Sequence, residues 1–455
     1  MKTYSARIRE QVRNFRASAP ARPYRFGFVG NMANGLYVRA VPLRRAGVDV
    51  WIFLHPGDHH VMGQPGWEEF DGELPAGVTD ARLLSAHGVE LPQPPNVFQL
   101  PVANAASDDL DFVRVDDLPK YGPYFGYRET LHALQAMDAL LAAQTPYLAY
   151  LANRPYLVTQ VGGDIWYEAS RDDIHGRLQR TSFASAAAFL ASNPWSFAHA
   201  RRFGFRHLVY LPFVLDDEVY SPGPTPYRAQ WKAQTGGTFF VLCTARQDDY
   251  FKGSHVALEG FAKFAPIAPG ARLALLGWGA DLNQLATRLA ELGIADRAFV
   301  MPIAGKRRLV SYLRAADCLL DQFVLGYFGA TALEAMACGV PVVMRLERTQ
   351  YDALCMTGAP PVLDASTPEE VAARLRSLHD SPHQHAEQRA AHRGWFVANH
   401  GSSTWREAYL DLLVATANRL RIDWSGSPLA TPLTPAECAY HEAELAAAPT
   451  FPNYT

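Results

Sequence analysis

Cysteine is scarce in this chain of 455 residues, which carries only five, an odd number. No two of them stand in C-x-x-C spacing, so the sequence offers neither a disulfide framework nor a zinc site of the common spacing. We therefore expect reduced thiols in a cytoplasmic protein. A Walker loop, an H-E-x-x-H helix and a nucleophile elbow are missing too, which excludes the commonest signatures of nucleotide hydrolysis, zinc proteolysis and serine hydrolysis.

An excess of charge and long apolar runs are also lacking. The net charge of −3 gives no general attraction to nucleic acid, and no run approaches the roughly 18 apolar residues of a membrane-spanning helix. Residues 1–22 are basic but hold no apolar segment, so they do not read as a secretory signal. This basic N-terminal helix is interpreted either as a solvated surface helix or as a weak peripheral contact with the inner face of a membrane.

The first part of the chain alternates between predicted strands and helices, which is typical of a doubly wound sheet. Its opening β-loop-α-β unit is followed by a helix with one apolar face and by several short apolar runs. The predicted elements are strand 25–30, helix 36–46, strand 48–54, helix 130–144, and strands 147–151, 156–161 and 207–213.

A linker over residues 216–225, which combines acidic residues with prolines and a glycine, divides the chain. The strand and helix pattern then restarts. It predicts strands 238–244, 272–276, 299–301, 318–321 and 340–344, and helices 255–264, 281–292, 306–315 and 402–420. We predict an α/β protein with two Rossmann-like doubly wound domains that face a cleft. Their bounds are 1–215 and 216–400, and a C-terminal helix and tail over 401–455 packs back toward the first domain.

Two cations follow the first strand of the second domain. Arg246 and Lys252 lie in the loop 244–253, and ligands of doubly wound sheets bind at the carboxyl ends of the strands. Such a pair suits a diphosphate and can stabilise a leaving nucleotide. The alternative interpretation is a set of surface ion pairs with Asp248 and Asp249.

Residues 327–343 read as a turn, one helix and a buried strand. Phe328 and Gly329 open the helix, whose first free N–H groups suit a phosphate. Glu334 lies one turn further in, where a carboxylate suits the two hydroxyls of a ribose. A phosphate cradle and a diol acceptor on one helix predict a site for a nucleotide-linked sugar.

A glycine turn after another strand is a second candidate contact. Gly277 and Trp278 follow the predicted strand 272–276, and glycine there lets a flat ring approach the backbone. We predict a nucleobase at this turn, with Pro302 as the opposite wall. The alternative is a plain turn with a packing tryptophan.

The loop after the first strand is a weaker version of a phosphate loop, since it lacks the G-x-G-x-x-G fingerprint of a dinucleotide site. Gly30, Asn31 and Asn34 are its candidate donor contacts, because asparagine side chains suit sugar hydroxyls or a distal phosphate. The alternative is a turn with asparagines in the left-handed conformation.

Gly163 and Asp164 end the predicted strand 156–161 near the expected cleft. Asp164 is predicted either to contact a sugar hydroxyl as a catalytic residue or to cap the next helix. Metal ligation by His55, His59 and His60 is not expected, because adjacent side chains diverge in regular structure.

These residues together resemble the retaining, nucleotide-sugar-dependent glycosyltransferases of the GT-B fold, specifically glycosyltransferase family 4. The resemblance is strong over residues 239–413 and weaker over 26–220. Phe328-Gly329 through the Glu334 helix and the strand after it match the most specific motif of the family, and Arg246 and Lys252 resemble its diphosphate-gripping pair.

The resemblance implies roles for individual residues. It implies that Glu334 binds the ribose and that the amides of Ala330 and Thr331 face the β-phosphate and the sugar. The segment Gly162-Gly163-Asp164 resembles the H-G-x-D segment of the family. The implied partners are a nucleotide sugar and a glycan or lipid-linked acceptor, and polysaccharide biosynthesis is the implied context.

Three departures from the family pattern stand out. The first glutamate of the E-x7-E pattern, which normally orients the hydroxyls of the donor sugar, is Gly326 here, and Asp321 or Gln322 are its candidate replacements. The histidine of H-G-x-D is Val161. The interval from Arg246 to the lysine is one residue longer than is common.

The prediction is a metal-independent glycosyltransferase that needs no cofactor and moves one sugar from a nucleoside diphosphate to an acceptor with anomeric retention. In that scheme domain 1–215 is the acceptor side and domain 216–400 binds the nucleotide sugar. Two alternatives stay open: a catalytically degenerate binder of nucleotide sugar or glycan, and a sugar-nucleotide 2-epimerase. The base, the sugar, the acceptor and the oligomeric state are not determined by the sequence.

Overall fold

A computed structural model describes residues 1–55, 59–100, 128–430 and 433–446. Its α-helices, in chain order, are α1 Lys2–Ser18, α2 Gly35–Arg45, α3 Gly66–Glu69, α4 Arg128–Gln135, α5 Pro146–Leu151, α6 Gly163–Trp166, α7 Ile174–Ser185, α8 Trp195–Arg202, α9 Tyr227–Thr235, α10 Ser254–Phe264, α11 Leu285–Glu291, α12 Lys306–Ala315, α13 Ala330–Ala337, α14 Arg348–Asp352, α15 Pro368–Asp380, α16 Pro382–His400, α17 Ser402–Ala417 and α18 Pro435–Ala446.

The strands are short and mostly buried. They are β1 Arg25–Val29, β2 Asp49–Leu54, β3 Val97–Gln99, β4 Ala139–Ala142, β5 Tyr156–Thr159, β6 Ala188–Ala191, β7 Leu208–Tyr210, β8 Phe239–Cys243, β9 Ala271–Leu276, β10 Ala298–Met301, β11 Cys318–Leu320, β12 Val342–Met344 and β13 Leu363–Asp364.

Two compact units divide the chain into alternating segments. Unit 1 consists of Met1–Pro65, Gln93–Phe213 and Trp405–Thr455, and unit 2 consists of Gly66–Pro92 and Val214–Thr404. The predicted bounds, 1–215 and 216–400, are wrong for the segment Gly66–Pro92, which lies in unit 2. The reason is long-range pairing that local patterns do not reveal: the N–H of Leu74 donates to the carbonyl of Ile303 at 2.8 Å.

Each unit contains one wholly parallel sheet. The order is β3-β2-β1-β4-β5-β6-β7 in unit 1 and β10-β9-β8-β11-β12-β13 in unit 2. Parallel sheets are covered by helices on both faces, which explains why their strands are uniformly apolar. The strand order reverses between β1 and β4 and between β8 and β11. Ligands of such sheets bind at the carboxyl ends of the strands beside these switch points.

These sheets confirm the predicted fold class, an α/β protein with two Rossmann-like domains. In unit 2 the core packs helix side chains such as Phe261, Phe264 and Leu375 against strand residues such as Val241 and Leu273, all of them buried. The predicted helix 306–315 coincides with α12, and the predicted helix 255–264 matches α10 within one residue.

Two predictions for unit 1 are wrong. The helix predicted over 130–144 ends at Gln135, because Leu140 and Leu141 belong to β4, which pairs with β1 and β5. The strand predicted over 147–151 is helix α5, which starts at Pro146, a residue favoured in the first turn of a helix. All residues of β4 and α5 are buried. Neither an alternating nor a helical pattern of polar residues therefore shows in the sequence.

The basic N-terminal helix α1 packs within unit 1. The guanidinium of Arg16 pairs with Glu407 at 2.7 Å and with Asp411 at 2.8 Å, and Arg9 donates to the carbonyl of Tyr210 at 3.0 Å. Ile8 and Val12 are fully buried beneath them. None of the described helices is both long and apolar enough to cross a bilayer.

Candidate functional site

The carboxyl edge of the unit 2 sheet, where its parallel strands end, carries most of the predicted donor-site residues. Lys252 follows β8 and lies beside the residues that follow β11. Its Nζ donates to Oε1 of Gln322 at 2.9 Å, and its carbonyl accepts from the N–H of Phe323 at 2.8 Å. The switch point between β8 and β11 therefore holds a cation, as the strand pattern predicted.

Arg246 is held differently. Its Nε donates to Asp248 Oδ2 at 2.7 Å, and its guanidinium lies 5.3 Å from the centre of the Phe251 ring. The surface ion pair that was the alternative interpretation is thus present for Arg246, whereas Lys252 is bound to Gln322. An ion pair of this exposure contributes little to stability, so the guanidinium can exchange Asp248 for an anionic ligand at small cost.

Helix α13 begins at Ala330, and its N-cap is Gly329, without a capping side chain among the described residues. The first N–H groups of a helix have no intrahelical acceptor. A side chain on Gly329 would meet open space, and Gly329, Ala330 and Thr331 are exposed or partly exposed. Backbone amides and the positive end of the helix dipole are accessible here, which is the chemistry of an anion site.

Phe328, also predicted to contact the donor, supports this helix start from below. Its ring is buried and stacks on Tyr351, with ring centres 4.6 Å apart, and its N–H donates to the hydroxyl of Tyr351 at 3.2 Å. The packing fixes the turn that presents Gly329 and the α13 amides.

Glu334 lies in α13 and is almost completely buried. Its Oε1 accepts from Nζ of Lys306 at 2.5 Å, and its Oε2 has no hydrogen-bond partner among the described residues. A lone buried acceptor costs about 1–3 kcal/mol unless a donor reaches it. The hydroxyls of a bound sugar or ribose are such donors.

Lys306, the first residue of α12, was missed by the sequence reasoning. Its ammonium pairs with Glu334 and is also attracted by the charge of the buried Glu68, and the pKa of Lys306 is raised because these two charges outweigh the effect of burial. Tyr220 donates to Glu68 Oε2 at 2.7 Å. Burial raises the pKa of Glu68 to about 7, with Lys306 opposing and Glu334 adding to the shift.

A signal for this network is present in the sequence. Three basic residues open α12, an unfavourable place for cations at the positive end of the helix dipole. The acidic segment around α3 compensates for them: Arg307 pairs with Glu69 at 2.6 Å and Arg308 with Asp71 at 3.4 Å. Complementary runs of opposite charge, E-E-F-D-G-E and K-R-R, could have indicated the contact.

Asp321 follows β11 directly and is buried close enough to Lys252 and Glu334 for both charges to act on it. Neither of its carboxylate oxygens has a hydrogen-bond partner among the described residues. Burial raises the pKa of Asp321, Lys252 opposes the shift and Glu334 adds to it. Asp321 and Glu334 together thus present three acceptor oxygens that no donor of the described residues reaches.

The turn predicted to receive a base is tied to the cation loop. The carbonyl of Trp278 accepts from the N–H of Gln247 at 2.8 Å, and its indole N–H donates to the carbonyl of Thr244 at 3.0 Å. Gly277 is held close to Val300, within 3.0 Å of where a Cβ would lie, and Pro302 is exposed. The packing-tryptophan alternative is therefore part of the structure, and a base contact at the turn stays a prediction.

The candidate residues of unit 1 are committed to their own loop. Gly30 has φ of +79° and lies against the carbonyl of Ala143, 2.3 Å from where a Cβ would be. Asn31 Nδ2 donates to the carbonyl of Gly63 at 2.7 Å and Asn31 Oδ1 accepts from the N–H of Tyr37 at 2.9 Å. Asn34 is left-handed, with φ of 61°. The left-handed alternative therefore holds for Asn34 but not for Asn31, whose φ is −143°, and the donor contacts stay predictions.

Asp164 lies in the first turn of α6 and binds the backbone of the turn that leads into this helix. Its carboxylate accepts the N–H groups of Val161, Gly162 and Ile165 at 2.9 to 3.1 Å. Burial raises its pKa to about 6, against the effect of these N–H groups. The N-cap of α6 is Gly162, with no side-chain cap, so Asp164 holds the turn before the helix instead of capping it, and the catalytic role of Asp164 and the sugar contact of Gly163 stay predictions.

The described residues contain no cluster of three or more His, Cys, Asp or Glu side chains placed to hold a metal ion. His60 caps a short turn through its Nδ1, which accepts from the N–H of Met62 at 3.2 Å.

The part of the chain that forms most of unit 2 is similar in sequence to known glycosyltransferases. Residues 228–395 match the sequence model of the family described as glycosyl transferases group 1. The chain is 28% identical over 157 residues to a mannosylfructose-phosphate synthase of Agrobacterium fabrum, covering 33% of this chain and 35% of the relative. It is 30% identical over 169 residues to a D-inositol 3-phosphate glycosyltransferase of Segniliparus rotundus, covering 36% of each. The matches thus span about a third of the length of these curated relatives.

Solved structures resemble the chain over most of its length. HepE of Anabaena, crystallised with UDP and glucose, superposes with a TM-score of 0.60 at 16% identity, covering 86% of this chain and all of that one. A sucrose-phosphate synthase of Thermosynechococcus elongatus gives 0.57 at 16% identity, covering 86% and 98%. At this identity the likeness shows the fold, which is the GT-B fold with two Rossmann-like units.

Proposed function

Since residues 228–395 match the sequence model of glycosyl transferases group 1, we propose that this protein is a retaining glycosyltransferase. It transfers a sugar from a nucleoside-diphosphate sugar to a glycan, a lipid-linked acceptor or another small acceptor. The observation that carries the proposal is the carboxyl edge of the unit 2 sheet. There Lys252, the open start of α13 and the unpartnered oxygens of Asp321 and Glu334 offer cations and amides for a diphosphate beside acceptors for hydroxyls.

The proposed reaction breaks the bond between the anomeric carbon and the β-phosphate oxygen, so negative charge develops on the leaving diphosphate. Arg246, Lys252 and the N–H groups at the start of α13 stabilise that charge. The acceptor oxygen bonds to the anomeric carbon on the face that the phosphate leaves, and its proton passes to a phosphate oxygen. This route retains the anomeric configuration and requires no nucleophile from the protein.

Donor recognition follows from the same edge. Glu334 accepts hydrogen bonds from the ribose, and the turn at Gly277 and Trp278 borders the base. Because Lys252 and Arg246 supply the positive charge that a divalent cation supplies elsewhere, we propose that the reaction is independent of metal. Because UDP is the nucleotide in the HepE crystals, UDP-sugars are the first donors to test. The cytoplasm, where the thiols stay reduced, is the proposed location.

Donor hydrolysis tests the proposal directly. The protein is incubated with UDP-, GDP-, dTDP- and ADP-sugars, without acceptor and with a chelator, and released nucleoside diphosphate is measured. We expect slow hydrolysis of one donor that the chelator leaves unchanged. Glu334→Ala should abolish it, whereas Glu387→Gln, on the exposed face of α16, should leave it intact.

Two other outcomes would decide against transfer. Thermal stabilisation by a nucleotide sugar without release of nucleoside diphosphate would favour the degenerate binder. Conversion of the donor sugar into its 2-epimer would favour the isomerase.

A further inference from the structure

Gly326 is a glycine for a reason that its backbone does not explain. Its φ lies outside the left-handed region, so the conformation is open to any residue. The obstacle is a neighbour: a Cβ on Gly326 would lie 2.2 Å from Cγ of Glu347. Real Cβ atoms do not come this close to another carbon. The methylene of Glu347 therefore occupies the space where a side chain at position 326 would begin.

The two residues are joined by their backbones as well. The N–H of Glu347 donates to the carbonyl of Gly326 at 2.9 Å. Glu347 comes three residues after the end of β12, at the carboxyl edge of the unit 2 sheet, and Gly326 precedes the α13 start by only a few residues. The Glu347 side chain thus contacts the loop that connects Asp321, at the end of β11, to the amides at the start of α13.

The Glu347 carboxylate is accessible and oriented. Its side chain is 42% exposed, and Oε1 accepts from Nη2 of Arg345 at 3.0 Å. Arg345 is itself anchored, since its Nη1 donates to the carbonyl of Val324 at 2.8 Å. An exposed pair of this kind is weak, so a ligand hydroxyl can share the carboxylate without a large loss of stability.

We propose that Glu347 supplies the carboxylate that position 326 lacks, and that it binds hydroxyls of the donor sugar. The inference rests on the proposed function and deepens it by assigning sugar recognition to a residue outside the linear motif. It also makes the two positions interdependent: glutamate at 347 requires glycine at 326, and a glutamate restored at 326 requires a small residue at 347.

The test separates recognition of the sugar from recognition of the nucleotide. Affinity for UDP and for UDP-glucose is measured by calorimetry, and donor hydrolysis is followed in parallel, with GDP, dTDP and ADP donors run in the same way. Glu347→Gln should lower kcat/KM for donor hydrolysis roughly tenfold to a hundredfold, the usual effect of losing a hydrogen bond to a charged group. The affinity for the nucleoside diphosphate alone should stay unchanged, which also reports that the variant is folded.

The exchange of the two side chains gives the second arm. Gly326→Glu alone should reduce stability because it collides with Glu347. Gly326→Glu combined with Glu347→Gly should recover donor hydrolysis relative to Glu347→Gly. If Glu347→Gln hydrolyses the donor as the unchanged protein does, Glu347 has no part in sugar recognition although the proposed function stands. If the unchanged protein binds none of the nucleotides, the proposed function fails and this inference with it.

Discussion

The two switch points of this protein are built from the same topology and differ in how their polar groups are used. At the β1/β4 switch point of unit 1, Asn31 is fully buried and both ends of its amide are hydrogen-bonded within the unit, to the carbonyl of Gly63 and the N–H of Tyr37. At the β8/β11 switch point of unit 2, Asp321 and Glu334 are equally buried, yet three of their four oxygens have no partner among the described residues.

This difference teaches where a ligand belongs. Buried polar groups are normally satisfied, and an unsatisfied one costs about 1–3 kcal/mol. A fold that keeps three such oxygens buried at one strand edge stores an interaction for a partner rich in hydroxyl groups. Gly30 and Asn31 instead pack against and bind neighbouring loops of unit 1, so a polar loop after the first strand of a Rossmann-like unit is no sign of a ligand by itself.

The largest expected effect is a pH dependence of the free energy of unfolding that comes from Glu68, in the buried network around Glu334. Because the pKa of Glu68 is about 7 in the folded protein and 4.5 ordinarily, the folded protein holds a proton that the unfolded chain releases. The contribution of Glu68 to the free energy of unfolding is present at low pH and is lost as the pH rises from about 4.5 to about 7, a change of about 3 kcal/mol. The free energy of unfolding, measured with urea at each pH, should fall less steeply over this range for Glu68→Gln than for the unchanged protein. Parallel curves, with Glu387→Gln as the control, would show that Glu68 is not buried as described.

The cations come next in size. Arg246→Ala or Lys252→Ala should lose at least about 2–3 kcal/mol of transition-state stabilisation, as removal of an oxyanion donor does. The measurement is kcat/KM for donor hydrolysis by each variant. Lys232→Ala, in α9 of the same unit, is the matched removal of a lysine. Near-normal turnover in both site variants would refute the roles proposed for these cations.

The smallest effect is expected at the other switch point. Asn31→Ala removes three buried hydrogen bonds, to Asn34, Gly63 and Tyr37, and should lower the free energy of unfolding by about 1–3 kcal/mol. Its affinity for a nucleoside diphosphate, measured by calorimetry, should not change. If Asn31→Ala folds normally but binds the nucleotide weakly, the contrast between the two switch points is wrong and the predicted donor role of Asn31 is right.

The fold class could be predicted because the alternation of strands and helices shows in local patterns of apolar and polar residues. Helix α12 shows a clean polar face, and its predicted bounds agree with the structure. Residues such as Leu140 and Tyr147 do not disclose their state, since an element buried on all sides has no polar residues to set its period.

The residues of the candidate site also fall into two groups, those that local sequence patterns predict and those that only long-range contacts bring together. Lys252 and the start of α13 stand in continuous motifs and were predicted. The pair of Lys306 and Glu334 spans 28 residues, and Glu68 joins it from the other side of the linker. No local pattern specifies such contacts, because they form only once the sheets have placed their loops.

The segment Gly66–Pro92 has a consequence for synthesis. A chain that emerges from its N-terminus makes this segment early, but its contacts, such as Arg307 with Glu69 and Lys306 beside Glu68, wait for more than two hundred further residues. Unit 1 in turn is completed only by Trp405–Thr455. Domains usually fold as units while translation proceeds, but here both remain incomplete until late. The acidic segment around Glu68 must therefore stay soluble while it waits, and its charges make that possible.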